Sequence, residues 1–162
     1  MRTVSRQQVF GSLAGLVALS CLPTVSHAAS SSIGRLRLSD AEWRKRLSPE
    51  QFAVLRRAGT EEPFTSPLLN EHRQGAFACV ACALDLFDSA TKFDSHTGWP
   101  SFFRARRGAV SERRDTSLPG EPRTEVRCAR CDGHLGHVFT DGPAPTGLRY
   151  CMNGVALTFH PR

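Results

Sequence analysis

The stretch from residue 128 to residue 153 reads CARCDGHLGHVFTDGPAPTGLRYCMN. Two apolar runs, 135–140 and 147–159, lie on either side of Asp141-Gly142-Pro143, and this tripeptide favours a turn between two strands. Similar runs, separated by Gly, Pro, Asp and Ser, continue back to residue 75. Together they predict short antiparallel strands in the segments 76–80, 84–88, 100–104, 108–111, 122–128, 135–140 and 147–159.

Two short helices are predicted before these strands. Ser39 and Glu42 have the spacing of a capping box, and Ser48-Pro49 is a second helix start that Gly59 can end. The chain has 162 residues, of which 40% are hydrophobic and 22% charged. This composition fits one globular domain and excludes a disordered chain or a collagen-like fibre. The residues therefore predict a mainly β fold with short N-terminal helices.

The N-terminal segment has the parts of a secretory signal peptide. Arg2 and Arg6 precede an apolar run from about residue 9 to residue 22, and Ser26 and Ala28 are the small residues of a cleavage site. The predicted organisation is a signal peptide over 1–28, a linker over 29–38 and one folded domain over 39–162.

This signal is of the Sec type, or of a degenerate Tat type in which Gln7 stands where a second arginine is needed. We expect an exported, periplasmic protein that has no stable membrane insertion after cleavage. An uncleaved N-terminal anchor is the alternative.

Four cysteines form two C-x-x-C pairs, Cys79/Cys82 and Cys128/Cys131. A C-x-x-C turn directs two thiolates at one metal ion, and two such turns complete a tetrahedral site. Zn²⁺ binds four thiolates without redox chemistry, and four protein ligands leave no open position. One structural zinc ion is therefore predicted. Two disulfides or a redox-active C-x-x-C pair are the alternatives in an exported protein.

Cys151 lies outside the two C-x-x-C pairs, and its neighbouring residues suit a reactive thiol. In a strand, Arg149, Cys151 and Asn153 lie on one face. The arginine charge favours the thiolate, and the amide can donate a hydrogen bond to a developing charge. A buried free cysteine in a strand is the alternative interpretation.

Other polar and aromatic groups can complete a site around this thiol. His134 and His137 can supply a proton near neutral pH, or they can be extra metal ligands or buried polar groups of the core. Trp99, between Gly98 and Pro100, can line a site or simply pack in the core.

Three segments together closely resemble the methionine-R-sulfoxide reductases (MsrB). They are Gly98-Trp99-Pro100-Ser101-Phe102, the run HLGHVFTDGP over 134–143, and Arg149-Tyr150-Cys151-Met152-Asn153. The two cysteine pairs lie where the zinc-binding members carry them. The resemblance extends from about residue 40 to residue 160. It implies two antiparallel sheets forming an open barrel-like core, a structural Zn²⁺, and reduction of methionine-(R)-sulfoxide in proteins by a peptide-methionine (R)-S-oxide reductase.

The resemblance also implies a role for each site residue. Cys151 would attack the sulfoxide sulfur and become a sulfenic acid, and Trp99 would contact the substrate methyl group. The remaining roles are proton delivery by His134 or His137, orientation or polarisation by Asp141 and Arg149, and positioning of Cys151 by Asn153.

One residue departs from the usual family pattern. Thr97 stands where many members carry a second cysteine that resolves the sulfenic acid as a disulfide. With the other cysteines of the domain on zinc, no partner thiol remains. We therefore expect an external thioredoxin-like protein to reduce Cys151.

The expected partners are oxidised proteins and this reductant, with no nucleic acid, and the expected state is a monomer. Two alternatives of other classes remain. One is a zinc-stabilised module for nucleic acid, which the net charge of +6 and the paired cysteine turns would suit. The other is a C-x-x-C thiol-disulfide oxidoreductase.

Overall fold

The computed structural model describes residues 33–162. The signal peptide predicted over 1–28 and the first part of the linker lie outside these residues, so the domain boundaries stay predictions. Within residues 33–162, no helix has the length and apolar character needed to cross a membrane.

Two helices open the fold, α1 over Asp40–Arg46 and α2 over Pro49–Arg57. Both begin at the predicted residues with a capping box, the predicted one of Ser39 with Glu42 and a second one of Ser48 with Gln51. The left-handed residue after α2 is Ala58, one residue before the predicted stop at Gly59. The helices bury apolar side chains against the sheets, namely Trp43, Phe52, Val54 and Leu55.

The strands form two antiparallel sheets. The first contains β1 (Gly75–Cys79), β2 (Asp85–Asp88) and β9 (Leu157–Pro161) in the order β2-β1-β9. The second contains β3 (Lys92–Phe93), β4 (Ser101–Phe102), β5 (Val110–Asp115), β6 (Arg123–Cys128), β7 (His134–Phe139) and β8 (Arg149–Met152). Its order is β3-β4-β8-β7-β6-β5. Short 3₁₀ turns span Pro67–Asn70, Ser89–Thr91 and Gly154–Ala156.

This architecture confirms the predicted fold class of two antiparallel sheets with short N-terminal helices. Over the described part of the chain, neither sheet closes into a barrel, because β3 and β5 are separate edges of the larger sheet. The core forms where the two sheets meet. Phe87 of β2 stacks on Phe102 of β4 at 4.3 Å between ring centroids, and Phe77 of β1 contacts the same ring at 4.9 Å. Each buried phenylalanine contributes roughly 1.5–3 kcal/mol to folding.

The structure differs from the strand prediction at four places. Strand β3 over Lys92–Phe93 was not predicted, and β4 covers only Ser101–Phe102 of the predicted segment 100–104. The run 147–159 is not one strand, because the turn Gly154–Ala156 breaks it into β8 and β9, which lie in different sheets. The segment 108–111 is only the beginning of β5, which continues to Asp115 and forms a hairpin with β6. Most side chains of β5 are exposed because it is an edge strand. Its sequence is therefore mostly charged and lacks the alternation of apolar residues that would have predicted the full strand.

Candidate active site

The four cysteines of the two C-x-x-C pairs converge on one point. Their sulfur atoms all lie within 4.8 Å of one another. Cys79 Sγ is 3.6 Å from Cys131 Sγ, and Cys82 Sγ is 3.5 Å from Cys128 Sγ. A tetrahedral zinc site with Zn–S bonds of about 2.3 Å places its sulfurs about 3.8 Å apart. The donor set and its spacing therefore fit Zn²⁺.

Two equivalent turns bring these cysteines together. At the end of β1 the Ala83 N–H donates to the Cys79 carbonyl oxygen at 2.8 Å, and at the end of β6 the Asp132 N–H donates to Cys128 at 2.9 Å. Ala83 and Asp132 both have a φ of 57°, directly after the second cysteine of each pair. Each sheet thus carries one such turn, and each turn directs two thiols at the same centre.

Cys151 lies apart from this cluster, in the middle of β8. Its strand neighbours are His137 on β7 and Ser101 on β4. Tyr150 and Met152 are buried, whereas Arg149 and Cys151 are half-buried, as the period of two predicts. Cys151 opens into a cavity of ≈ 120 Å³ whose walls are Thr60, Trp99, Arg123, Gly136, His137, Phe139, Cys151 and Asn153.

Gly136 allows β7 to approach β8 closely at the wall of this cavity. A Cβ atom at this position would lie 2.1 Å from the carbonyl oxygen of Cys151, and the φ of Gly136 is 155°. Any side chain would therefore collide with β8 beside the thiol. The sequence Leu135-Gly136-His137 keeps β7 close to β8 and directs His137 at Cys151.

The two histidines have different surroundings. The Nε2 of His137 donates to the Asp115 carboxylate at 2.8 Å, and its ring lines the cavity of Cys151. The Nδ1 of His134 donates to the Glu125 carboxylate at 2.8 Å, and its ring is buried outside that cavity. The ring centroids are 5.4 Å apart. The structure thus brings His137, and not His134, to the thiol.

Burial lowers the pKa of His134 and outweighs the neighbouring Glu125 carboxylate, which acts to raise it. Burial alone would raise the pKa of Glu125, but hydrogen bonds from His134 and Arg113 outweigh it and keep that pKa below its usual range. His134 is therefore a neutral donor to an ionised Glu125. Within residues 33–162 its Nε2 is buried and has no hydrogen-bond partner.

Arg149 and Asp141 form one unit beside the thiol. The guanidinium donates two hydrogen bonds to the Asp141 carboxylate, at 2.9 and 2.8 Å. This pairing, with a smaller contribution from the nearby Cys151 sulfur, raises the pKa of Arg149. Neither Arg149 nor Asp141 lines the cavity of Cys151. The contact of Asp141 with the site runs through Arg149.

Asn153 and Trp99 are both fixed by a residue that the sequence did not single out. The backbone N–H of Glu61 donates to Asn153 Oδ1 at 2.9 Å, and the backbone oxygen of Glu61 accepts from Trp99 Nε1 at 3.2 Å. The Glu61 carboxylate accepts from the N–H groups of Gly154 at 2.5 Å and Val155 at 2.7 Å. Burial raises the pKa of Glu61, and these two backbone donors act in the opposite direction.

Asp115 and Arg123 are two more site residues that sequence reasoning missed. Asp115 accepts hydrogen bonds from His137 and, at 2.8 Å, from Arg123. Hydrogen bonds from Ser117, followed by the one from His137, hold the pKa of Asp115 well below its usual range. Both residues lie in the hairpin of β5 and β6. The charges of this hairpin gave no sign that Asp115 contacts a histidine 22 residues further along the chain.

These features define a class of protein. It is a small β protein in which four cysteines suited to bind a metal ion connect the two sheets, and in which a separate thiol lies in a cavity. Comparison with known proteins specifies this class further. The SelR domain family matches residues 47–161, and the chain belongs to the MsrB family of methionine-R-sulfoxide reductases.

Several relatives called peptide methionine sulfoxide reductase MsrB match most of the chain. The Agrobacterium fabrum protein is 56% identical over 128 residues, covering 78% of this chain and 94% of the relative. The Thiobacillus denitrificans protein is 55% identical over 125 residues, with 76% and 94% covered. A Pseudomonas putida protein is 59% identical over 122 residues, with 75% and 91% covered. Among solved structures, the Mis18 'Yippee-like' domain aligns with 56% of this chain and 98% of its own chain, at 20% identity and a TM-score of 0.45.

Proposed function

We propose that this protein reduces methionine-(R)-sulfoxide in polypeptides to methionine, and that Cys151 is its nucleophile. The observation that carries the proposal is the placement of Cys151 in this MsrB domain. Among residues 33–162, it is the one cysteine outside the four-cysteine cluster, and it opens into a cavity with Trp99 and His137.

The proposed reaction begins with the thiolate form of Cys151, which is the nucleophilic form of a cysteine. Its sulfur attacks the sulfoxide sulfur, the sulfoxide oxygen gains a proton, and the S–O bond of the substrate breaks. The hydroxyl passes to the Cys151 sulfur and the transient bond between the two sulfurs breaks, so that Cys151 becomes a sulfenic acid and methionine leaves. The thiol is oxidised and the sulfoxide is reduced by the same two electrons.

Three residues of the cavity wall and the neighbouring Arg149 have a proposed part in this step. Trp99 is an apolar surface for the methyl group, because a polar wall would lose hydrogen bonds to it. His137 is the candidate for proton delivery, since it faces the cavity and Asp115 fixes its Nε2. Arg149 favours the thiolate through its charge, and Asn153 holds the end of β8 by its hydrogen bonds to Glu61 and Leu135.

The proposed zinc ion has no part in the chemistry. Cys79, Cys82, Cys128 and Cys131 would supply four thiolates, which leaves no coordination position for substrate. The ion would link the turn after β1 to the turn after β6, and so one sheet to the other. Its binding free energy would add to the stability of the folded state.

The sulfenic acid must then be reduced from outside the chain. Thr97 occupies the position of the resolving cysteine, and its Oγ1 lies 3.7 Å from Cys151 Sγ. A threonine hydroxyl cannot form a disulfide with the sulfenic acid. Two external thiols complete the cycle: one forms a mixed disulfide with Cys151 and releases water, and the second releases the Cys151 thiol and an external disulfide. A thioredoxin-like dithiol is the proposed donor.

We further propose that the protein acts after export, in the periplasm of a bacterial cell, as a monomer. The support for export is the sequence pattern of residues 1–28. Its substrates would then be exported proteins with oxidised methionine, and its reductant would have to work in the same compartment.

The experiment uses the protein without its predicted signal and peptides that carry methionine-(R)-sulfoxide or methionine-(S)-sulfoxide, with dithiothreitol as reductant. Turnover of the R epimer alone is expected, and Cys151→Ser should abolish it while zinc content stays unchanged. In a single turnover without reductant, dimedone should label wild-type Cys151. A folded, zinc-containing protein that reduces neither epimer, or a Cys151→Ser variant that remains active, would contradict the proposal.

A further inference from the structure

Three hydroxyl groups connect the Cys151 sulfur to the interior of the protein. Thr97 Oγ1 lies 3.7 Å from Cys151 Sγ, and Ser95 Oγ lies 2.8 Å from Thr97 Oγ1. The same Ser95 oxygen is 2.7 Å from Ser101 Oγ, which donates to the backbone oxygen of Trp99 at 3.1 Å. We call Thr97, Ser95 and Ser101 the hydroxyl chain.

The backbone fixes this chain firmly. Thr97 lies between His96 and Gly98, whose φ angles of 57° and 93° are both in the left-handed region. The His96 N–H donates to Asp94 at 2.9 Å, and a Cβ at Gly98 would come within 2.7 Å of Pro63. Ser101 is 1% exposed and lies opposite Cys151 in the sheet. The turn therefore holds the threonine hydroxyl against the thiol.

The hydroxyl chain can serve Cys151 in both of its protonation states. When Cys151 is a thiol, four protons fill the four contacts in one direction: the thiol donates to Thr97, Thr97 to Ser95, Ser95 to Ser101, and Ser101 to the Trp99 oxygen. When Cys151 is a thiolate, rotation of the hydroxyls reverses this order, so that Thr97 donates to the sulfur and Ser95 donates to Thr97. A hydroxyl both donates and accepts, which a methyl group cannot do.

We propose that Thr97 is a catalytic residue that donates a hydrogen bond to the Cys151 thiolate, and that Ser95 and Ser101 are positioning residues that orient its hydroxyl. This inference rests on the proposed role of Cys151. It gives position 97 a task other than that of a resolving thiol: it stabilises the nucleophile in a half-buried place. Hydrogen bonds to charged groups are the stronger ones.

The test compares Thr97→Val, which keeps the shape and removes the hydroxyl, with Thr97→Ser, which keeps the hydroxyl. Two rates are measured: formation of methionine in a single turnover without reductant, and alkylation of Cys151 by iodoacetamide as a function of pH. Ser101→Ala tests the far end of the chain. Thr158→Val on β9 is the matched control, because it also removes a threonine hydroxyl from a half-buried position. Zinc content and circular dichroism report folding.

Thr97→Val is expected to slow methionine formation roughly tenfold at pH 7 and to move the alkylation profile to higher pH, while Thr97→Ser stays within about twofold of wild type. Ser101→Ala should show a smaller change in the same direction, and Thr158→Val none. A folded Thr97→Val protein with the wild-type rate and profile would overturn the proposal. If Thr97→Val fails to fold, the contrast between Thr97→Ser and Ser101→Ala decides. Alkylation of Cys151 needs no sulfoxide. The alkylation profile therefore still tests the hydrogen bond from Thr97 if the wild-type protein does not reduce methionine sulfoxide.

Discussion

A cysteine introduced at position 97 is expected to change how the enzyme is regenerated. Thr97 Oγ1 lies 3.7 Å from Cys151 Sγ, whereas a disulfide brings two sulfur atoms to about 2.05 Å. The gap to be closed is therefore about 1.7 Å. Rotation of the two side chains about their Cα–Cβ bonds can supply it. Well-oriented neighbouring groups react with effective concentrations on the order of 10⁵ M or more, far above any added thiol.

The assay is a single turnover without reductant. Wild type and Thr97→Cys receive an excess of peptide methionine-(R)-sulfoxide and are then denatured in dimedone and a thiol-blocking reagent. Mass spectrometry should show a dimedone adduct on wild-type Cys151. In Thr97→Cys we expect no adduct and the loss of two blockable thiols to an internal disulfide. Thr158→Cys is the control for an added thiol elsewhere, and it should keep the adduct.

One result would refute the reasoning. If folded, zinc-containing Thr97→Cys keeps the dimedone adduct in the same amount as wild type, positions 97 and 151 do not meet as the structure shows. The double variant with Cys151→Ser separates this outcome from a wrong nucleophile, because it should form neither adduct nor disulfide.

Three further predictions concern the four-cysteine cluster, the contact of Asp115 with His137, and the dependence of stability on pH. Cys128→Ser should lose zinc and lower the urea midpoint of unfolding, since one of four ligands is gone; a stable variant with full zinc content would contradict the four-cysteine site. Asp115→Asn should lower kcat about tenfold or more with dithiothreitol and leave zinc content unchanged, because it weakens the hold on His137; an unchanged kcat would exclude this role. The pKa of His134 is lowered in the fold, so its contribution to stability is present above its ordinary value of 6.5 and is lost as pH falls below it. The free energy of unfolding should therefore drop between about pH 7.5 and 5.5, and less so in His134→Gln, with zinc content measured at each pH; equal drops in both proteins would count against the assignment.

Local signals predicted the parts of this fold that depend on local contacts. The capping boxes at Ser39 and Ser48 involve residues three positions apart, and the structure has both. The C-x-x-C turns are also local, and each forms within five residues, as the hydrogen bonds from Ala83 to Cys79 and from Asp132 to Cys128 show. The alternation at Cys151 predicted its half-buried face for the same reason.

The parts that sequence reasoning missed depend on distant pairing. Asp115 meets His137 because β5, β6 and β7 are adjacent, and that order is not written in any one segment. Glu61 contacts Val155, which is 94 residues further along the chain. In the sequence, both acids look like ordinary surface charges. Only the register of the strands and the burial of Glu61 distinguish them from the exposed acids.

Glu61 holds two walls of the cavity in place. Its backbone N–H, backbone oxygen and carboxylate contact Asn153, Trp99 and the turn after β8, respectively. A buried carboxylate is costly unless it is hydrogen-bonded, and here two backbone N–H groups satisfy it. The same residue thus joins the aromatic wall to the strand that carries Cys151. The wall and the thiol come from segments more than 50 residues apart. The contacts of Glu61 therefore add to the pairing of β4 with β8 in fixing the distance between them.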